Sequence, residues 1–151
     1  MNREICDVIG DGGFVTLALC VIDPARHEIT VASAGHMSPI LRHNDGTLDE
    51  PADNAVRGFP LGLADHAECK ATTRAIRSGE CVTLFSDGII DAMDAQQRLY
   101  SIERIRAEIS GMATTDPAAI GEALLEDVWR HSAGQPQNDD MAMVVFGRLA
   151  S

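Results

Sequence analysis

Apolar residues in the first half of the chain fall into short runs that are separated by turn-forming residues. The nearly continuous apolar run over 14–22 predicts a strand that is covered on both faces. The Asp23-Pro24 turn leads into 27–34, which predicts the returning strand of a hairpin. A further short strand is predicted over 39–43, where the Asn44-Asp45-Gly46 turn closes it. Because tight turns join these strands, we expect antiparallel pairing.

The second half of the chain combines strand patterns with two helical patterns. Weak alternation over 69–76 and the apolar run over 81–85 predict strands on either side of the Ser78-Gly79-Glu80 turn. Apolar residues then recur at helical spacing in two sets, Ile102, Ile105 and Ile109, and Ile120, Leu124 and Val128. Asp116 and Pro117 predict the start of the second helix, as its N-cap and first helical residue. A last buried strand is predicted over 141–146.

The order of these elements favours the α+β class. Most strands come first, and the two helices lie close together in sequence, unlike the regular alternation of a doubly wound α/β fold. Helical spacing of Ile5, Val8 and Ile9 predicts the last turns of one more helix, with nothing before it to form its beginning. We therefore expect the natural domain to begin upstream. The segment 10–13 predicts a flexible connection, since its spacing fits no phosphate-binding loop.

Composition and charge exclude several classes of function. Hydrophobic residues make up 45% of the 151 residues, which is enough for a core, so we expect a single domain over 1–151. The formal net charge of −11 argues against nonspecific binding to nucleic acid and against docking on an anionic membrane. No window approaches the ~18 apolar residues of a membrane span, and the first residues resemble no signal peptide. We therefore expect a cytoplasmic protein.

Cysteine and histidine show no spacing that is typical of a metal site. None of the cysteines forms a CxxC pair, and we interpret them as buried or partly buried reduced thiols rather than a disulfide or zinc site. The cysteines are Cys6, Cys20, Cys69 and Cys81. Four histidines without convergent spacing are interpreted as surface residues, and these are His27, His43, His66 and His131.

Acidic residues stand at the ends of two apolar strands. Asp87 closely follows the strand over 81–85, and Asp91 lies four residues further on. Asp139 and Asp140 directly precede the last strand. If the two strands are antiparallel neighbours, these carboxylates converge at one end of a sheet, where their repulsion favours a bound cation. Oxygen ligands suit Mg²⁺ or Mn²⁺ better than Zn²⁺. The alternative is that each Asp is an ordinary turn or cap residue.

Four short motifs follow one another along the chain. They are AGHMSPIL at 34–41, GFPLG at 58–62, GECVTLFSDGIIDA at 79–92 and NDDMA at 138–142. In the same order, they resemble the AGHxPxL, GxPLG, GDxxxLYTDGxxEA and DDxT elements of the SpoIIE-like branch of the PPM-type metal-dependent serine/threonine protein phosphatases. The first motif carries one extra residue before its proline. No single motif is specific, but the four in this order are.

This resemblance implies a four-layer α-β-β-α sandwich of antiparallel sheets, with two Mn²⁺ or Mg²⁺ ions between the sheets. Asp87 and Asp139 match the two C-terminal metal ligands of the family, and Asp91 matches a position near a weaker, additional metal site. Asp140 is expected to orient the site without binding the metal directly. The metals would lower the pKa of a bridging water, orient the phosphate and neutralise charge during in-line attack. The nucleophile would then be a metal-activated water rather than a side chain.

Other residues of the motifs are expected to have structural roles. His36 occupies a family position that indicates packing or hydrogen bonding more than catalysis. Gly35, Gly62 and Gly88 are expected to satisfy backbone geometry rather than to contact substrate.

The chain departs from the family pattern at three further places. Ser86 and Ala142 each replace a usual threonine, and the second change removes a hydroxyl. The family's first metal segment, an early Asp followed by a GDxxGHG-like element, has no counterpart, since Asp7 and Asp11 lie in no such context. We therefore expect either a domain without its N-terminal strands or a member of the family that has lost activity. Such a chain would bind Mn²⁺ weakly, show little activity and self-associate through an uncovered sheet edge, which would permit a homodimer.

The leading functional hypothesis is metal-dependent hydrolysis of phosphoserine or phosphothreonine on a partner protein. SpoIIE-like relatives commonly act on phosphorylated anti-sigma-factor antagonists in bacterial partner switching, so the resemblance implies that substrate class. The alternative hypothesis is a non-catalytic, phosphatase-like module that uses the same fold to bind a regulator.

Overall fold

The computed structural model of the chain describes residues 2–9, 13–53, 56–64 and 68–149. The chain divides into two compact units, and each unit is built on its own antiparallel sheet. The first unit comprises Met1–Pro39 and Glu50–Ala75, and the second comprises Ile40–Asp49 and Ile76–Ser151.

The helices and strands follow one another in an order close to the one the sequence predicts. They are α1 (Asn2–Ile9), β1 (Leu17–Asp23), β2 (Glu28–Ala34), β3 (Ile40–Arg42), β4 (Leu48–Asp49), β5 (Ala71–Ala75), β6 (Cys81–Phe85), α2 (Asp87–Ile90), α3 (Ile102–Gly111), α4 (Pro117–Ser132) and β7 (Met143–Gly147).

The sheet of the first unit has the strand order β1-β2-β5. β1 and β2 form the predicted hairpin. At its turn, the Asp23 side chain accepts hydrogen bonds of 3.0 Å from the backbone N–H groups of Ala25 and Arg26, which is how Asp stabilises such turns. The central strand β2 contributes Ile29 and Val31 to the core, and both are fully buried.

The prediction of a strand covered on both faces over 14–22 is wrong. The strand begins at Leu17, and Leu19, Val21 and Ile22 are each about half exposed. Among the described strands, β1 pairs only with β2, so it is an edge of its sheet. A continuous apolar run does not report which faces are covered, because burial depends on neighbours that lie elsewhere in the chain.

The sheet of the second unit has the strand order β4-β3-β6-β7, and α4 packs against β6 and β7. The predicted helical faces are confirmed, since both apolar sets contain fully buried residues, namely Ile105, Ile109, Ile120 and Leu124. Asp116 is the N-cap of α4 and accepts a hydrogen bond of 3.3 Å from the Ala118 N–H, with Pro117 as the first helical residue.

The last strand differs from its prediction in burial. β7 is confirmed as a strand, but it is half-buried, and Val144 is 58% exposed. Among the described strands, β7 pairs only with β6 and is an edge of its sheet. The Ser78-Gly79-Glu80 turn lies between the two predicted strands, β5 and β6, and these strands belong to different sheets.

These elements confirm the α+β class with antiparallel sheets. All four cysteines are free thiols. Cys81 is buried and Cys6 and Cys20 are half-buried, as predicted, whereas Cys69 is exposed. In the part of the chain that the structure describes, no helix has both the length and the apolar character that crossing a membrane requires.

Candidate functional site

Two acidic segments lie at the same end of the sheet in the second unit. β6 and β7 are antiparallel neighbours, and Phe85 at the end of β6 stands opposite Met143 at the start of β7. The chain that leaves β6 through Asp87 therefore lies beside the chain that enters β7 through Asp139 and Asp140. This is the strand arrangement on which the sequence-based argument for a metal site depended.

Ser86 joins these two segments through hydrogen bonds. Its hydroxyl donates a hydrogen bond of 2.9 Å to the carbonyl oxygen of Asp140 and accepts one of 2.9 Å from the N–H of Ala142. The backbone N–H of Ser86 also donates to the carbonyl of Ala142, at 2.9 Å. The residue that stands in place of the family's threonine thus keeps the hydroxyl that joins the segments. From the sequence, Ser86 was identified only as a replacement of the usual threonine, although a hydroxyl residue between a strand and two acids was a usable signal.

Gly88 allows the two segments to approach closely. A Cβ atom at Gly88 would collide with the carbonyl oxygen of Asp140 and lie 3.1 Å from that of Asp139. Real Cβ atoms rarely come so near to a backbone oxygen, so only glycine fits without a shift. The absence of a side chain at Gly88 therefore permits the close approach of the two segments.

The acidic side chains themselves are exposed. Asp87 is the first residue of α2, and its Oδ1 accepts a hydrogen bond of 3.2 Å from the Gly88 N–H. Asp91 follows α2, and its N–H donates to the Asp87 carbonyl at 2.9 Å. In the other segment, Asp139 Oδ1 accepts a bond of 2.7 Å from the N–H of Asp140. Local hydrogen bonds therefore orient Asp87 and Asp139 while leaving them open to solvent.

The donor chemistry of these acids fits a hard divalent cation such as Mg²⁺ or Mn²⁺, which prefers carboxylate oxygens. Across residues 2–9, 13–53, 56–64 and 68–149, however, no group of three or more His, Cys, Asp or Glu side chains is placed to hold a metal ion.

Gly35 and His36 belong to the first unit, where a backbone hydrogen bond joins the first two motifs. The Gly35 N–H donates to the Gly58 carbonyl at 2.8 Å. Gly35 has a φ of +69°, and a Cβ there would lie 2.8 Å from Cδ of Pro60, so its predicted backbone role is supported. His36 is half-buried, and its carbonyl accepts a bond of 2.7 Å from the Ser33 hydroxyl. The structural role of the His36 side chain stays a prediction.

Two histidines that were predicted at the surface have specific partners. His43 Nδ1 lies 2.8 Å from Oε1 of Glu80, whose side chain is only 2% exposed. His131 Nε2 lies 2.9 Å from the Arg98 carbonyl, and its Nδ1 lies 3.1 Å from Arg104. His27 is exposed as predicted, and His66 lies outside the described residues. Single residues without a spacing pattern carry no signal for such contacts, which join distant parts of the chain.

Comparison with known proteins agrees with the family that the four motifs resemble. The sequence profile of the family described as "Stage II sporulation protein E (SpoIIE)" matches residues 1–149. Stage II sporulation protein E of Bacillus subtilis (strain 168) is 25% identical over 134 residues, which cover 87% of this chain and 15% of that protein. Phosphoserine phosphatase RsbU of the same organism is 26% identical over 92 residues, 60% of this chain and 27% of that protein.

A solved structure shares the fold. The phosphatase domain of SpoIIE from Bacillus subtilis (Mn presoaked) has a TM-score of 0.67 to this chain at 19% identity, over 90% of this chain and 57% of that one. This likeness confirms the predicted fold class. The chain spans 15% and 27% of the lengths of the two curated relatives.

Proposed function

Because the chain belongs to the SpoIIE family, we propose that it acts in the metal-dependent hydrolysis of phosphoserine or phosphothreonine on a partner protein. The observation that carries this proposal is the joining of the Asp87 and Asp139 segments by Ser86 and Gly88 at one end of a sheet. The relative RsbU is named a phosphoserine phosphatase, which supports the same reaction class.

Each acidic residue has a distinct proposed role. Asp87 and Asp139 would bind Mn²⁺ or Mg²⁺, and Asp91 would contribute to a weaker, additional cation site. Asp140 positions the site, because its N–H holds the Asp139 carboxylate and its carbonyl accepts the bond from Ser86. A bound divalent cation would activate water and offset the charge that develops on the transferring phosphoryl group. The contribution of the chain is to hold the Asp87 and Asp139 carboxylates at fixed positions where solvent can reach them.

The test is phosphate release from a phosphoserine peptide and from p-nitrophenyl phosphate, each in Mn²⁺, Mg²⁺ and EDTA. We expect turnover only with a divalent cation, and Asp87→Asn or Asp139→Asn should abolish it by removing a ligand charge while the fold persists. Asp116→Asn is the matched control, since it makes the same chemical change at an exposed helix cap. Full turnover in EDTA, or in either ligand variant, would show that the mechanism is wrong.

A second candidate function is a non-catalytic module that binds a regulator through the phosphatase fold. The observation that favours it is that the described residues contain no group of three metal ligands. Calorimetric titration with Mn²⁺ separates the two candidates. In a protein extended by the family's first metal segment, weak Mn²⁺ binding without phosphate release from either substrate would support the module, whereas cation-dependent turnover would support the enzyme.

Three broader proposals accompany the reaction. We propose a phosphorylated anti-sigma-factor antagonist as the substrate class, supported by membership of the SpoIIE family. We propose that residues 1–151 belong to one phosphatase domain, because the family profile spans both structural units. We propose a cytoplasmic location, and the free thiols are compatible with a reducing compartment.

A further inference from the structure

An apolar groove, here called the Trp129 groove, lies within the second unit between α4, β7 and the loop after α4. It consists of three adjacent cavities of about 440, 190 and 280 Å³, and Trp129 lines all three. Its apolar lining includes Leu125, Met141, Met143 and Val145. Methionine side chains adapt their shape to different partners, so this lining suits a bound protein segment.

Trp129 is itself unusual in its exposure. It is the only tryptophan of the chain, and it is 62% exposed. A large aromatic ring beside an apolar groove is the kind of residue that dominates the energetics of protein interfaces.

The rim of the Trp129 groove is negatively charged. Glu122 and Glu126 lie one helical turn apart on α4, line the groove and are exposed. Within the described part of the chain, neither carboxylate has a hydrogen bond or an ion pair, and no Lys, Arg or His lines the three cavities. The neighbouring Arg130 is bound to Asp127 at 3.0 Å. The rim therefore presents two carboxylates that no basic side chain neutralises.

One end of the Trp129 groove reaches the acidic segments. Gln137 and Asn138 line it directly before Asp139, and Ala92 and Met93 line it directly after Asp91. A segment bound in the groove would thus be held next to the proposed metal ligands.

We propose that the Trp129 groove binds a segment of the phosphoprotein substrate that combines apolar side chains with Lys or Arg. This inference rests on the proposed phosphatase function. A phosphate group approaching a chain of net charge −11 is repelled, so attraction must come from elsewhere on the substrate. Basic side chains at Glu122 and Glu126 provide that attraction, while apolar side chains cover Trp129. A second copy of this chain would bring the same negative charge to the rim.

The first experiment measures binding and requires no turnover. Because Trp129 is the only tryptophan, its fluorescence reports on this groove alone. Titration with the peptide Leu-Lys-Val-Arg-Leu-Lys should shift the emission to shorter wavelength, and the peptide Leu-Glu-Val-Glu-Leu-Glu should bind at least about tenfold more weakly. Equal binding of the two peptides would overturn the proposal. A shift that grows with protein concentration alone, without peptide, would assign the groove to a second copy and also overturn it.

Variants then test the groove residues. The double variant Glu122→Gln/Glu126→Gln should weaken binding of the basic peptide about tenfold, whereas Glu68→Gln/Glu103→Gln, with the same change of charge at exposed positions outside the groove, should not. For Trp129→Ala, anisotropy of a fluorescein-labelled peptide replaces the intrinsic signal, and a similar loss is expected. Val144→Ala changes an exposed side chain of β7 that does not line the groove, so it should bind normally. Equal effects of groove and control variants would contradict the assignment.

A final measurement separates this inference from the proposed function. With a phosphoserine peptide that carries the basic segment, Glu122→Gln/Glu126→Gln should raise KM about tenfold without changing kcat, and turnover of p-nitrophenyl phosphate should stay unchanged. Unchanged KM for the phosphopeptide would refute the groove alone. Absence of turnover of both substrates, even in a protein extended by the family's first metal segment, would refute the phosphatase while leaving the binding result to decide the groove.

Discussion

At Ser86 and Gly88, two small residues determine how closely the acidic segments approach each other. The Ser86 hydroxyl acts as both donor and acceptor, toward Asp140 and Ala142, and this double use is available to serine and threonine but not to alanine. Gly88 contributes by having no side chain at the point where the segments meet. The geometry of Asp87 and Asp139 therefore depends on neighbours that would not bind metal themselves.

Replacement of Gly88 tests this dependence. In Gly88→Ala, the new Cβ meets the Asp140 carbonyl oxygen, so one segment must move. We expect a loss of about 1–3 kcal/mol of stability, typical of overpacking, and about tenfold weaker Mn²⁺ binding. Chemical denaturation and calorimetric titration measure the two effects. Gly111→Ala is the matched control, since a Cβ there meets nothing within 4 Å. Equal Mn²⁺ affinity in both variants would disprove the close-approach argument.

At the scale of elements, a buried carboxylate joins α3 to α4. Asp127 is 6% exposed. Its carboxylate accepts bonds from Tyr100 (2.8 Å), from Arg104 through two nitrogens (2.9 Å each) and from Arg130 (3.0 Å). Burial alone would raise the pKa of Asp127, but the hydrogen bonds from Arg104 and Tyr100 and the nearby positive charges outweigh burial and lower that pKa. The bidentate arginine fixes the relative placement of the two helices.

The hydrogen bonds and ion pairs of Asp127 predict that the stability of the fold depends on pH. A carboxyl with a lowered folded-state pKa stabilises the fold above its unfolded pKa of about 3.9 and loses that contribution as pH falls through the folded value. Asp127→Asn should therefore lower the free energy of unfolding at pH 7 by about 3 kcal/mol, and its difference from the parent should shrink at more acidic pH. Urea unfolding between pH 3 and pH 7 measures this, with Asp116→Asn as the control. If the free energy of unfolding depended on pH in the same way for the parent and for Asp127→Asn, the ionised Asp127 carboxylate could not be the source of the pH-dependent stability.

At the scale of the whole molecule, exposed apolar side chains favour self-association and the net negative charge opposes it. β1 is an edge strand among the described strands, and Leu19, Val21 and Ile22 on it are about half exposed. Such an edge favours pairing with another chain, whereas a net charge of −11 keeps chains apart. The balance between them should depend on salt, because salt screens the repulsion and leaves apolar attraction in place.

We therefore expect self-association that grows with protein concentration and with salt. Leu19→Lys/Val21→Lys should reduce it by placing charge on the edge strand. Leu63→Lys is the control, since it also adds a lysine at an exposed apolar position, outside any strand. Light scattering at several concentrations in low and high salt is the measurement. A chain that stays monomeric under all of these conditions would contradict the prediction.

The sequence by itself determined the features that depend on local interactions. The strand over 81–85, the buried faces of α3 and α4 and the Asp116 cap were predicted correctly, because hydrophobic period and capping involve residues within a few positions of one another. Placing Asp87 and Asp139 at the ends of two strands required only the same local patterns, and their motifs indicated the family.

Only the tertiary structure decided which strands are edges and which side chains meet. Burial of β1 and β7 depends on whether another strand lies beside them, which no pattern within those segments encodes. The Ser86 bond to Asp140 joins residues 54 positions apart, and the partners of His43 and His131 are likewise distant. The Trp129 groove lies where α4 packs beside β7, which pairs only with β6 among the described strands. Local sequence patterns therefore identified the acidic residues, and long-range packing determined their positions. The neighbours of a side chain depend on how the whole chain folds and not on the spacing of residues within one segment.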